Sequence, residues 1–328
     1  MADWQPDVLG DGYEQQVLEL GDDPDGQGQI VGTLVRREAP ENPTGAVLYV
    51  HGFTDYFFQT ALADFYTERG FAFFALDLRK CGRSRRPDQQ PHYVSDLAYY
   101  DAELSRAFAA VRHETGDAPV LMAGHSTGGL VLSLWLDRLN AGPGGAQGAG
   151  ISGLVLNSPF LDLQGKAWMR SWGTQLFRVM AKIRPFDVIK LPPGGGYGSS
   201  LHVSAHGEWD YDLEWKPLRG FPVTYGWLNA IRRGHARLHK GLDVGVPSLV
   251  LRSARSRSAP EWSPEVDELD AVLDTRQIAR WAGCLGDEVT AVPIVGARHD
   301  VFLSNDEPRD EVYRVLDRWL HDHDLVAA

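Results

Sequence analysis

The stretch "VLMAGHSTGGLVLSLWLDRLN", residues 120–140, decides the fold. It opens on a short apolar run, turns through Gly124-His125-Ser126-Thr127-Gly128, and continues into a helix-like segment. A chain takes this form when it must pass from strand to helix in one sharp step and still hold a hydroxyl out. The glycines two positions either side of Ser126 remove side chains where strand and helix would collide. The turn lifts Ser126 Oγ out of the sheet and sets it at a helix N-terminus, where the dipole favours developing negative charge. By itself G-x-S-x-G is a weak signal, because glycine and serine are common. The strand before it and the helix after it give it weight.

Working outward, "AVLYV" (46–50), "FAFFAL" (71–76), "SGLVLN" (152–157), "PSLVLR" (247–252) and "AVPIV" (291–295) are short and almost continuously apolar. Such runs fit strands buried on both faces, as in a parallel sheet covered by helices. Helix-like stretches separate them, and strand–helix alternation implies an α/β layer fold. The segment 96–116 ends at Gly116, a C-cap candidate, and the last stretch sets Val312, Val315, Leu316, Trp319 and Leu320 on one helical face. Near the N-terminus, 14–20 and 29–37 flank the turn-rich "GDDPDGQG" and predict an antiparallel hairpin. The expected sheet is mostly parallel and eight-stranded, with helices on both faces.

Residues 160–240 break the rhythm. They contain no clear strand and are rich in tryptophan (Trp168, Trp172, Trp209, Trp215, Trp227) and glycine ("LPPGGGYG"). So long a stretch is uncommon as a plain loop. It predicts an inserted helical cap over the C-terminal ends of the strands, where ligands bind in open α/β sheets. The expected organisation is core 1–159, cap 160–240 and core 241–328.

The totals exclude some classes. With 328 residues and 43% hydrophobic content, the chain can bury a sizeable core. A formal net charge of −12 disfavours nucleic acid as a partner, because phosphates call for a basic face. Two distant cysteines, Cys81 and Cys284, make no disulfide framework and fit a reducing compartment. No secretory leader and no membrane-spanning apolar run is visible, so a cytoplasmic protein is expected.

A serine hydroxyl is a poor nucleophile without a base. A serine on a strand–helix elbow takes its acid and then its histidine later in the chain. Of the 11 histidines, His299 in "VPIVGARHDVFL" follows the last strand directly and is the expected base. His321 and His323 fall in the tail, and His202, His206, His235 and His239 in the insertion. The acid is sought after "PSLVLRS" among Asp267, Glu268, Asp270 and Asp274; Asp270 is preferred, and Asp274 has a competing role as a helix N-cap. The oxyanion needs two preorganised amides. Thr127, after the nucleophile, offers one. Phe53, in His51-Gly52-Phe53-Thr54 after the first parallel strand, offers the other. His51, Gly52, Tyr56, Phe57 and His125 flank these groups and are the expected substrate contacts, with Phe53 and Phe58 as further aromatic candidates for an acyl site.

At these residues the chain resembles the α/β-hydrolases of the serine aminopeptidase, monoacylglycerol-lipase and lysophospholipase-like branch. The resemblance rests on "YVHGFTDY" (49–56), "FFALDLRKCGRSR" (73–85), "MAGHSTGGL" (122–130), "LNSPFLDL" (156–163), "DAVLD" (270–274) and "ARHDVF" (297–302), in the family's order. It implies Ser126, Asp270 and His299 as a triad, the Phe53 and Thr127 amides as the oxyanion hole, and a helical cap at about 160–240. Lys80 departs from the pattern, standing where the family carries a glycine.

The expected activity is cofactor- and metal-independent hydrolysis of a carboxylic ester: a monoacylglycerol, a lysophospholipid or a small acyl ester. Acyl transfer, lactone opening and peptide cleavage use the same triad and stay open. A non-catalytic binding protein is the rival from another class, and it would normally have lost a triad member. A homodimer through the insertion is also open.

Overall fold

The computed structural model describes residues 3–164, 173–190 and 194–326. One sheet runs through it. Its strands are β1 (Gln5–Pro6), β2 (Tyr13–Asp22), β3 (Gln29–Arg37), β4 (Gly45–Val50), β5 (Phe71–Asp77), β6 (Val120–His125), β7 (Ile151–Asn157), β8 (Ser248–Ser253) and β9 (Val289–Ile294). The spatial order is β1-β2-β3-β5-β4-β6-β7-β8-β9. From β5 to β9 neighbours are parallel, while β1, β2 and β3 join antiparallel at one edge. This is the α/β-hydrolase architecture. The sheet has nine strands where eight were expected. The extra one, Gln5–Pro6, is two residues long and exposed, too short for any hydrophobic period to reveal.

The helices are α1 (Thr60–Thr67), α2 (Asp101–Thr115), α3 (Thr127–Asn140), α4 (Gly145–Gly148), α5 (Gly173–Ile183), α6 (Gly196–Leu201), α7 (Tyr225–Leu238), α8 (Thr275–Trp281) and α9 (Asp306–Asp322). The pleat splits each buried strand between two cores. Leu48 and Val50 of β4 join Met122 of β6 and meet α2 and α3, through Leu104, Val111, Leu130 and Val131. Val47 and Tyr49 of β4 join Leu121 of β6 and meet α1 and α9, through Leu62, Tyr66, Val312, Leu316, Trp319 and Leu320. Continuous apolar character was therefore the right signal for β4 to β8. It misleads at β9, an edge strand whose Ala291 and Pro293 are exposed. Pro293 is tolerated there because an edge needs fewer ladder donors.

Between β7 and β8 the described residues contain no sheet strand. The chain forms α5, α6 and α7 instead and returns against the loops at the C-terminal ends of the parallel strands. Of the tryptophans noted in this stretch, Trp168 and Trp172 lie outside the described residues. Cys81 and Cys284 are free thiols. Among the described residues, no helix is long and apolar enough to cross a membrane.

Candidate active site

Ser126 directly follows β6 and caps α3 with φ 52° and ψ −117°, a strained backbone for a residue with a side chain. Its surroundings enforce the turn. A Cβ on Gly128 would lie 2.4 Å from the carbonyl oxygens of Val50 and His51, and one on Gly124 would lie 2.9 Å from Leu132 Cδ1. The Ser126 amide donates to Asn157 O at 2.9 Å, and its carbonyl accepts from the Phe160 amide at 3.0 Å.

His299 lies in the loop between β9 and α9. Its Nε2 is 3.1 Å from Ser126 Oγ, and its Nδ1 is 2.9 Å from Asp270 Oδ2. The other carboxylate oxygen, Asp270 Oδ1, accepts from the amides of Val272 at 2.8 Å and Leu273 at 2.7 Å. Those two bonds fix the carboxylate's orientation, and a carboxylate so placed holds the imidazole with Nε2 facing the serine. Serine, histidine and acid thus form one hydrogen-bonded chain, and all three are buried.

The other acid candidates are brought elsewhere. Asp267 pairs with Arg298 at 3.2 Å, and Glu268 pairs with Arg255 at the surface. Asp274 is the N-cap of α8, accepting from the Arg276 amide at 3.0 Å. The long loop ahead of Asp270 is tied back by Asp270 N to Arg255 O at 3.0 Å and by Arg257 N to Asp270 O at 3.1 Å.

Phe53 follows Gly52, which lies directly against Ser126, and Thr127 starts α3. Among the described residues neither backbone amide has an acceptor.

The family model for serine aminopeptidases (S33) matches residues 41–261, more than half of the chain. The chain belongs to the serine aminopeptidase family. No curated protein matches it in sequence. Solved structures share its fold. A soluble variant of monoglyceride lipase from Saccharomyces cerevisiae, solved with a substrate analogue, is 18% identical, covers 100% of both chains and has a TM-score of 0.65. The monoacylglycerol lipase of Paleococcus ferrophilus is also 18% identical, covering 94% of this chain and 99% of its own, at 0.60. A thermostable carboxyl esterase from Bacillus coagulans is 17% identical, covering 94% and 98%, at 0.64.

In this member of the serine aminopeptidase family the expected substrate contacts divide. His51 is a brace: Nε2 accepts from the Leu78 amide at 3.1 Å, and Nδ1 lies 2.7 Å from Gly52 O. Burial pulls its pKa below the ordinary histidine value. Phe57 is fully buried against Tyr49 and Phe73 on the α1/α9 side of the sheet, which corrects its assignment as a substrate contact. An apolar residue one position from a site faces away from it as readily as into it. Tyr56 packs edge-on against Trp215, and its hydroxyl oxygen accepts from the Asp212 amide at 2.8 Å. Gly52 lies against Ser126. His125 sits with its ring centroid 4.9 Å from that of His299, and its Nδ1 is 3.0 Å from Asp55 Oδ2.

Several residues of the neighbourhood escaped sequence reasoning. Lys216, from the stretch between β7 and β8, donates to Asp55 Oδ1 at 2.6 Å. Burial alone would push the Asp55 carboxyl up, but Lys216 and the His125 hydrogen bond outweigh it and hold the group well below the usual carboxylate range. Tyr197 stacks edge-on against His299 at 5.4 Å, and its hydroxyl oxygen accepts from the Asp300 amide at 3.2 Å. Asp300 in turn accepts from Asn157 Nδ2 at 2.6 Å and Gln59 Nε2 at 3.2 Å, which anchors the His299 loop to β7. Asp55 stood inside the motif "HGFTDY" and could have been noticed. Lys216 and Tyr197 carry no local signal.

Proposed function

We propose that the protein is a serine carboxylester hydrolase that works through an acyl-enzyme. The observation that carries this reading is the continuous hydrogen-bonded chain Ser126–His299–Asp270, at 3.1 and 2.9 Å, on a strained strand–helix turn. His299 Nε2 takes the proton of Ser126 as Oγ attacks the acyl carbonyl. The Phe53 and Thr127 amides receive the developing oxyanion. His299 then protonates the leaving alcohol, and a water activated by the same nitrogen releases the acid.

An apolar acyl group is the favoured substrate element. Phe53, Tyr197 and Trp227 supply aromatic surface around the serine and its oxyanion loop. Ester fits better than peptide. An aminopeptidase needs a carboxylate to receive the substrate's ammonium group, yet Asp55, Asp270 and Asp300 around the site are each committed to other partners. The stretch 160–240 acts as the cap. Ser126 is 7% exposed, and Tyr197 of this stretch packs against the His299 ring beside it.

A p-nitrophenyl ester series from C2 to C16, run on the parent and on Ser126→Ala, tests the reading. Turnover lost in the variant, with a chain-length optimum in the parent, is the expected result. A folded parent inert on every ester, and unreactive with a fluorophosphonate, sinks it.

A further inference from the structure

The loop after β4 carries the Phe53 amide, and the stretch between β7 and β8 grips it at four consecutive residues. The Phe53 ring packs on Trp227, centroids 4.2 Å apart. Thr54, at φ 55°, accepts on Oγ1 from the Phe221 amide at 2.9 Å. Asp55 takes the Lys216 ammonium at 2.6 Å. The Tyr56 hydroxyl oxygen accepts from the Asp212 amide at 2.8 Å.

Lys216 occupies the middle of this grip. Its side chain is 7% exposed and that of Asp55 is 1% exposed. The rings of Phe58, Tyr211 and Tyr197 lie 5.4, 5.7 and 6.0 Å from its nitrogen. The second oxygen of Asp55 holds His125, the residue before the nucleophile. One carboxylate therefore links the insertion, the oxyanion loop and the elbow. A buried ion pair is a poor source of net stability but a strong constraint on geometry, because neither charge tolerates losing its partner.

We propose that Lys216 is a positioning residue: through Asp55 it holds the Phe53 amide in oxyanion-binding register, so the hole is assembled only while the insertion is seated. The inference rests on the assignment of Phe53 to the oxyanion. It makes the cap a template for the catalytic loop as well as a cover. When the insertion lifts to admit substrate, Thr54, Asp55 and Tyr56 lose their partners together and the Phe53 amide is released. Reseating over bound ester restores it.

Two measurements on the full chain test this. Lys216→Met strands the Asp55 charge and is expected to fold poorly, so Asp55→Asn/Lys216→Met, which removes both charges, is the variant to assay. Active sites are titrated with a fluorophosphonate, and p-nitrophenyl butyrate turnover is normalised to them. The expected result is a kcat lower by about 10²-fold, the scale set by misplacing a reacting group by about 1 Å, with KM changed less than about threefold. A purely structural pair would lower the melting temperature or the titratable fraction and leave kcat per site alone. A folded double variant with kcat per site within about threefold of the parent overturns the proposal. The second measurement needs no variant. Amide hydrogen exchange of the unmodified protein should show 51–58 and 209–221 opening as one unit. Retained protection at 51–58 while 209–221 exchanges freely overturns the coupling. A parent inert to esters and fluorophosphonate removes the hydrolase reading alone, and exchange then decides the coupling.

Discussion

A Cβ built on Gly52 would sit 2.9 Å from the Cβ of Ser126. The loop after β4 and the turn at Ser126 are therefore in close backbone contact, with no room for a second side chain between them. Gly52→Ala forces one to retreat. The expected outcome is a loss of about 10- to 100-fold in kcat on a p-nitrophenyl ester, with only about 1–3 kcal/mol of stability lost to overpacking. A variant with parental kcat would show that the loop's distance from Ser126 has no catalytic weight.

Asp270 and Asp274 are four residues apart and do different work. Asp270 faces His299, and Asp274 caps α8. Asp270→Asn should lower kcat by about 10³- to 10⁴-fold with the fold intact, because the amide favours the wrong histidine tautomer. Asp274→Ala should cost about 1 kcal/mol of stability and leave kcat unchanged. Steady-state kinetics and urea unfolding of the two variants separate the roles, and the reverse pattern would reassign the acid.

Lys80 stands at φ 62°, where the resemblance expects glycine. Its ammonium is fully buried, 2.6 Å from Asp23 and donating to Tyr93 O at 3.1 Å. It ties the β2–β3 turn to the segment that follows β5. Lys80→Gly relieves the backbone strain but leaves the Asp23 charge buried and unpaired, a penalty of about 3–5 kcal/mol. The expected net result is a lower urea midpoint. A variant as stable as the parent would show that the pair contributes nothing beyond what the glycine restores.

His235 is buried in α7, its Nε2 donating to Phe160 O at 2.7 Å where the chain leaves β7. Burial lowers its pKa to about 4, against a hydrogen bond that raises it. At neutral pH both folded and unfolded chains carry it uncharged. As pH falls below about 6.5 the unfolded chain takes the proton first, so stability is lost between about pH 6.5 and 4, by about 3 kcal/mol at most. His235→Gln should flatten that part of the stability-versus-pH curve, read from urea midpoints at pH 7 and pH 4.5. Parallel curves for the two proteins would rule this histidine out as an acid-sensitive group.

What the sequence determined by itself is whatever depends on neighbours along the chain. Apolar runs such as "AVLYV" and "FAFFAL" mark buried strands because both faces must be covered. Ser126 is legible because a strained turn needs glycines at fixed offsets. His299 and Asp270 are singled out because each follows a strand in a fixed order, and His299 lies 3.1 Å from Ser126 Oγ and 2.9 Å from Asp270 Oδ2. Tertiary structure alone decided the rest. The exposure of β9 depends on which strand ends the sheet. Phe57 is core and His51 is a brace because the turn after β4 sets which way each side chain points. Lys216 and Asp55 are 161 residues apart, and no local period or spacing links them. Desolvation makes their pairing obligatory, and desolvation exists only once the chain around Lys216 has packed against the loop after β4.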